Sequence, residues 1–377
     1  MEGKGTYGSI YSKPRFPFYT KYNFNKIRVL EDDNIDKLMN NDEVSKIFYN
    51  NEKNRYLEIL KYELPDILFN KPLHYGIINI NLIYGSPIYT TKWGSGDLFK
   101  RIINKCFYQI TFQRGSLIYN NTLLTIEEFY DKSFNLLYFV KYLNDNNFVY
   151  DDFKIGNLLE IDGIYKISDF STLLKVNTID KNIFNDSFLS TCSYYIYLPI
   201  INDIIYTHLN NTNNIFFKED TFNVNKKYID TLIDSIVDNI NDYILYIDFK
   251  DIDNNNIKIN IIQVLLDIKK YRNNDNNNDR YFNEFTNYLN NKYDNNISKI
   301  LEDLCKRINL YSLGIVLLNM FHHKRYFLYD YFDEKSFQTK LFEIISYSCL
   351  NFIIIDDKLH IFEPNIDYII NKYKILE

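Results

Sequence analysis

The segment from about residue 123 to residue 174 constrains this chain more than any other. Leu136, Val140 and Leu143 fall at i, i+4 and i+7, the spacing that gives a helix one apolar face. That helix runs into Asn144-Asp145-Asn146-Asn147, residue types that favour a turn. Phe148-Val149-Tyr150 reads as a short apolar strand, followed by the loop Asp151-Asp152-Phe153-Lys154-Ile155-Gly156-Asn157. Leu158 to Ile161 and Ile164 to Ile167 read as two strands around Asp162-Gly163, a dipeptide suited to a two-residue hairpin turn. The hairpin delivers Ser168-Asp169-Phe170-Ser171. A single Asp in such a setting reads as an ordinary turn carboxylate. Asp152, Lys154, Asn157 and Asp169, all in register with a helix and a hairpin, read as a site.

This order resembles the catalytic core of protein kinases, where a helix, an H-R-D-x-K-x-x-N loop, a two-stranded hairpin and D-F-G follow one another. The chain reads Y-D-D-F-K-I-G-N and then D-F-S, with Asp169 twelve residues after Asn157. The resemblance implies an α+β, bilobal fold with a β-rich N-lobe over residues 1–118. It also implies a mainly helical C-lobe over 119–377 carrying a long Asn-rich insertion at about 204–303. The implied activity is ATP- and Mg²⁺-dependent phosphoryl transfer to Ser or Thr hydroxyls of a protein substrate. Such chemistry asks the protein to orient a hydroxyl and neutralise charge on the triphosphate. By resemblance, Asp152 would orient the hydroxyl proton and Lys154 would place positive charge beside the transferring group. Asn157 and Asp169 would offer hard oxygen ligands to Mg²⁺. Lys154 is also what favours Ser or Thr, since tyrosine-specific members differ there.

Two further stretches carry the resemblance. Gly3-Lys4-Gly5-Thr6-Tyr7-Gly8-Ser9-Ile10 matches the kinase glycine-rich loop, whose glycines (here Gly3, Gly5 and Gly8) let backbone amides approach phosphates while the branched residue, Ile10, covers the base. A Rossmann reading of the same glycines fails, because it needs a strand before and a helix after. Asn309-Leu310-Tyr311-Ser312-Leu313-Gly314 resembles the start of the buried central helix of the kinase C-lobe. The resemblance also requires a lysine for the α- and β-phosphates. Lys21, in Phe18-Tyr19-Thr20-Lys21-Tyr22, is favoured over Lys26. Its carboxylate partner is expected on a helical stretch near 41–64, where Glu52 shares a face with Tyr56 and Ile59; Glu43 and Glu58 remain alternatives. Ile110 to Gly115 would form the strand and hinge that hold adenine.

The departures are equally concrete. Tyr150 and Asp151 stand where the family has His and Arg, Ser171 replaces the glycine of D-F-G, and Asn309 replaces an Asp that braces the catalytic loop. Only two residues precede Gly3, and Ser190 to Tyr194 with Pro199 matches the end of an activation segment loosely. The short first strand, Ser171 and Asn309 favour the rival expectation, a pseudokinase that serves as an interaction scaffold.

Composition sets the remaining bounds. Hydrophobic residues make up 46% and aromatics 17% of the 377, which excludes global disorder. The excess of Asn, Ile, Lys and Tyr over Gly and Pro matches an A+T-rich coding sequence, as in some large DNA viruses and protists. With 43 basic and 49 acidic residues, the net charge of -6 argues against a nucleic-acid partner. Cys106, Cys192, Cys305 and Cys349 form no C-x-x-C pair and read as buried thiols of an intracellular, cytoplasmic protein. There is no signal-peptide pattern, and the longest apolar stretch, Leu310 to Phe321, is too short and too interrupted to span a membrane. Within the Asn-rich region, Ile229, Ile233, Ile236, Ile240 and Ile247, and then Ile261, Leu265 and Ile268, recur at helical spacing. The insertion would dock a partner protein or cover the substrate groove.

Overall fold

A computed structural model describes residues 3–4, 9–11, 18–23, 26–30, 43–48, 56, 58–78, 107–118, 126–150, 152–179, 230–231, 233–235, 237–238, 246–272, 278–331, 343–349, 352–355 and 358–374. The chain divides into two compact units: Met1–Leu117 with Leu159–Ser171, and Ile118–Leu158 with Thr172–Glu377. The hairpin after Asn157 thus groups with the N-terminal unit, although the sequence reading assigned it to the C-terminal one.

The first unit is built on a seven-stranded sheet. Its strands are β1 (Gly3–Lys4), β2 (Ser9–Tyr11), β3 (Phe18–Asn23), β4 (Lys26–Leu30), β5 (Glu43–Phe48), β6 (Pro72–Ile78) and β7 (Phe107–Gln113), in the order β1-β2-β5-β7-β6-β3-β4. All its pairings are antiparallel. The central strands are covered on both faces: Glu43, Val44 and Lys46 of β5, and Ile110, Thr111 and Phe112 of β7, are all buried. This corrects the expected helix over 41–64. Residues 43–48 form a strand, and the described helical residues of that stretch fall only within 56–60. The apolar positions Val44, Ile47 and Phe48 also suit a helix, at i, i+3 and i+4, but full pairing of β5 with β7, from Glu43↔Gln113 to Phe48↔Tyr108, outweighs that local pattern.

Strands β8 (Ser116–Leu117), β10 (Leu158–Ile161) and β11 (Ile164–Ile167) form a second sheet in the order β11-β10-β8. The turn between β10 and β11 has Asp162 at φ 55° and Gly163 at φ 78°. Two left-handed residues in succession are what a type I′ turn needs, and Asp-Gly supplies them at little steric cost. The far end of β11 is anchored to the chain after the helical turn. Ile167 donates its backbone N–H to the Leu68 carbonyl at 2.9 Å and accepts from Asn70 N–H at 2.8 Å.

The second unit is mainly helical. Its elements include α1 (Ile126–Asp145), β9 (Phe148–Tyr150), β12 (Leu173–Lys175), the hairpin of β13 (Tyr246–Lys250) and β14 (Asn256–Asn260), α2 (Ile261–Arg272), α3 (Asn278–Lys292), α4 (Ile297–Tyr331), the hairpin of β15 (Phe352–Ile355) and β16 (Lys358–Ile361), and α5 (Ile366–Lys374). Leu136, Leu137, Phe139, Val140 and Leu143 form the buried face of α1. At 35 residues α4 is about 52 Å long, and 310–320 are all buried, so the apolar stretch of the sequence is the middle of a longer helix. Gly314 allows this packing: an added Cβ would lie 2.3 Å from Cys349 Sγ. Cys305 and Cys349 are buried, while Cys106 and Cys192 lie outside the described residues.

The helical spacing over 229–247 is corrected in part. Residues 230–238 include helical ones, but Ile247 lies in β13, paired with Ile259. The C-terminal stretch holds the β15–β16 hairpin between helical residues 343–349 and α5. No helix among the described residues is long and apolar enough to cross a membrane.

Candidate active site

In the second unit, α1 ends at Asp145 and the chain reverses through Asn147, at φ 50°, into β9. β9 pairs with β12 through Tyr150↔Leu173, which fixes the start of the loop. Phe153 and Ile155 are buried, Phe153 against Phe139 at a ring distance of 5.1 Å. Residues that alternate with these, Asp152 and Lys154, keep 21% and 27% of their side-chain surface exposed. Apolar anchoring of alternate residues therefore turns the two charged groups outward. Lys154 Nζ lies 2.6 Å from Asp152 Oδ1 and 2.8 Å from Oδ2. Asn157, buried at the end of a single 3₁₀ turn, donates from Nδ2 to Asp152 Oδ2 at 2.8 Å, to the Asp152 carbonyl at 2.8 Å and to the Tyr150 hydroxyl at 3.1 Å. Asp152 is thus held by a cation and an amide, and the Asn157 amide oxygen is directed away from it.

Asn309, on α4, braces this loop from beneath. Its Oδ1 accepts the Tyr150 backbone N–H at 3.2 Å, while its Nδ2 donates to the Phe148 carbonyl at 2.8 Å and to Asn144 Oδ1 at 2.9 Å. A neutral amide can accept one bond and donate two; a carboxylate could only accept. Asn at this position is therefore matched to its neighbours. Tyr150 is fully buried against Phe139 and Phe153.

In the first unit, Asp169 follows β11 and is held by three side chains. Lys46 Nζ, from β5, lies 3.0 Å from Oδ2; the Tyr56 hydroxyl and Ser171 Oγ each donate to Oδ1 at 3.1 Å. Burial works against the charge, but the Lys46 ammonium, with the hydrogen bonds from Lys46, Tyr56 and Ser171, outweighs it and holds the Asp169 carboxyl below the usual carboxylate range. Phe170 is buried between Tyr56 and Phe69, both at ring distances of 5.3 Å and near-perpendicular. Ser171 is buried, and it is not among the residues with positive φ, so replacing the glycine here carries no left-handed strain.

The segment after β7 is also closely held. Asn70 Nδ2 donates to the Gln113 carbonyl at 3.0 Å, and Gln113 Nε2 to Asp162 Oδ2 at 3.1 Å. Gly115 packs so tightly on β10 that a Cβ would lie 2.7 Å from Ile161 Cγ1 and 2.8 Å from Leu159 Cβ.

The structure therefore brings Asp152, Lys154 and Asn157 together in one unit and surrounds Asp169 in the other. Gly3 lies in β1, Ile10 in β2 and Lys21 in β3, where Lys21 pairs with Leu30 and Gly76 through the backbone. Gly5, Gly8, Glu52 and Asp151 lie outside the described residues. Lys46 and Tyr56, the partners of Asp169, were not singled out in the sequence as its ligands. A signal existed: Lys46 stands between Val44 and Ile47, β-branched residues of a kind enriched in strands. Asp169 and Asn157 are hard oxygen donors of the kind Mg²⁺ takes together with waters and substrate phosphates. Among the described residues no group of three or more His, Cys, Asp or Glu could hold a metal ion. No protein-family model matches the chain, and no curated protein matches its sequence.

Proposed function

We propose that this chain is an ATP- and Mg²⁺-dependent protein kinase of bilobal, kinase-like fold, acting on Ser or Thr hydroxyls. The observation that carries the reading is the Asp152–Lys154–Asn157 cluster, whose carboxylate is oriented from two sides on a loop braced by Asn309. In that role Asp152 accepts or orients the proton of the substrate hydroxyl. Lys154 holds Asp152 and adds positive charge where the phosphoryl group transfers. Lys46, rather than Lys21, is the amine we assign to the phosphates, because it is the one paired with Asp169. Asn157 and Asp169 are each assigned as a candidate Mg²⁺ ligand within its own unit; the ion, when bound, would shield charge on the triphosphate. Adenine would lie along Gln113 to Gly115.

One observation favours a rival reading, a pseudokinase scaffold without catalysis: both oxygens of Asp169 already have protein partners. Transfer from radiolabelled ATP in the presence of Mg²⁺ separates the two. The kinase reading expects incorporation by the wild type and a loss of about 10³-fold or more in both Asp169→Ala and Asp152→Asn. Equal background in all three proteins, with no thermal shift on adding ATP and Mg²⁺, would sink it and favour the scaffold.

A further inference from the structure

Asp169 is the meeting point of three side chains, and two of them are neutral hydroxyls on the same oxygen. Tyr56 is fully buried, with its ring packed on Phe170 at 5.3 Å and on Phe112 at 5.8 Å. Packing alone would be served as well by Phe. The hydroxyl adds a donor, and it is aimed at Asp169 Oδ1. An ionised carboxylate only accepts, so the phenol must donate. Ser171 makes the same choice from the other side, with its Oγ 3.1 Å from the same oxygen. Lys46 sits on the other oxygen, Oδ2, at 3.0 Å. The division matters chemically. Neutral donors fix the rotamer of a carboxylate without cancelling its charge, whereas an ammonium cancels it.

We infer that Tyr56 and Ser171 are positioning residues: their hydroxyls hold the Asp169 carboxylate in one orientation for a divalent cation, while Lys46 is the partner that exchanges. The inference rests on the phosphoryl-transfer reading above. It deepens that reading by assigning the orientation of the metal ligand to two side chains. One comes from the helical turn at 56–60 and one from the residue two after the ligand itself. Partners of a metal-binding carboxylate commonly change metal affinity by about 10- to 100-fold when removed.

The test uses the full chain with Mn²⁺ as the probe, titrated against a non-hydrolysable ATP analogue and followed by the electron paramagnetic resonance signal of free Mn²⁺. Binding of the same analogue in EDTA is measured alongside. Tyr56→Phe keeps the ring and deletes only the donor; Ser171→Ala deletes the second donor; Ser171→Thr keeps it. The expected result is Mn²⁺ affinity about 10-fold weaker in Tyr56→Phe and in Ser171→Ala, near wild type in Ser171→Thr, with binding in EDTA unchanged throughout. Wild-type Mn²⁺ affinity in Tyr56→Phe and Ser171→Ala overturns the inference and leaves the kinase reading standing. A parallel loss with and without metal also overturns it, because that would mark a merely structural role. No Mn²⁺ uptake by the wild type with nucleotide overturns both readings together. If Tyr56→Phe fails to fold, the contrast between Ser171→Ala and Ser171→Thr decides.

Discussion

Asp169 in the first unit and Asp303 in the second are both kept ionised against the cost of burial, but they are built for different ends. Asp303 retains only 2% of its side-chain surface and is held by the Arg307 guanidinium, by Lys292 Nζ at 3.2 Å and by the Tyr293 hydroxyl at 2.6 Å. Burial pushes its carboxyl up, and the Arg307 and Lys292 charges with these hydrogen bonds more than reverse that, leaving it below the usual range. Arg307, itself fully buried, also donates to the Phe362 carbonyl at 2.7 Å, and Lys292 reaches Glu363 at 2.7 Å. The network thus ties the end of α3 and the first half of α4 to the chain after β16. Asp169 keeps 36% of its side-chain surface and has one cation and two hydroxyls. A depressed carboxyl therefore does not mark a site by itself. What separates the two is exposure: Asp169 keeps 36% of its side-chain surface and Asp303 2%.

The sharpest way to break this distinction is to delete each carboxylate. On the kinase reading, Asp169→Ala is expected to abolish transfer, by about 10³-fold or more, while lowering the urea midpoint less than Asp303→Ala does. Asp303→Ala should do the reverse. It leaves Arg307 buried with a charge that Lys292 makes worse, and removal of one member of a buried pair costs about 3–5 kcal/mol. Activity per folded molecule should survive. Equal loss of stability in the two variants, read by urea unfolding, would erase the contrast.

A milder change adds a buried carboxylate that lacks a cation. Asn309→Asp installs the residue that the kinase resemblance would lead one to expect. It should nevertheless destabilise, by about 1–3 kcal/mol. The new oxygen would face the Phe148 carbonyl and Asn144 Oδ1, where an N–H₂ now donates to both. A stability equal to wild type, in the same urea experiment, would show that the loop can repartner its donors around a charge.

These two units were also unequally legible in the sequence. The loop at 150–157 and the hairpin after it were readable because their determinants are local. Leu136, Val140 and Leu143 set the helix face, Asp162-Gly163 sets the turn, and Asn157 finds Asp152 only five residues away. The partners of Asp169 were not readable, because Lys46 lies 123 residues from it and Tyr56 lies 113 residues from it. Their approach depends on β5 taking a central place in the sheet, and the residues of β5 fit a helical pattern almost as well as a strand. Asn309 illustrates a third case. The motif located it, but its superiority to Asp becomes visible only when the two acceptors facing its Nδ2 are known.

The smallest effect is in the acid response, and it sharpens the comparison by asking where the two carboxylates lose their charge. Both are held in the folded state below the roughly 3.9 of an unfolded Asp. A group whose folded value is depressed contributes stability that is complete above its unfolded value and is lost as pH falls through the folded one. Stability should therefore decline as the pH drops below about 4, by at most about 1.4 kcal/mol per pH unit for each such group. Asp303→Asn removes one of these groups, so the difference between wild type and variant, large at neutral pH, should shrink with acidification. The same comparison with Asp169→Asn should begin from a smaller difference, because Asp169 keeps 36% of its side-chain surface exposed where Asp303 keeps 2%. Urea midpoints between pH 2.5 and 6 measure both. A wild-type-minus-variant difference for Asp303 that stays flat across that range would mean that its charge is not what joins α3, α4 and the chain after β16.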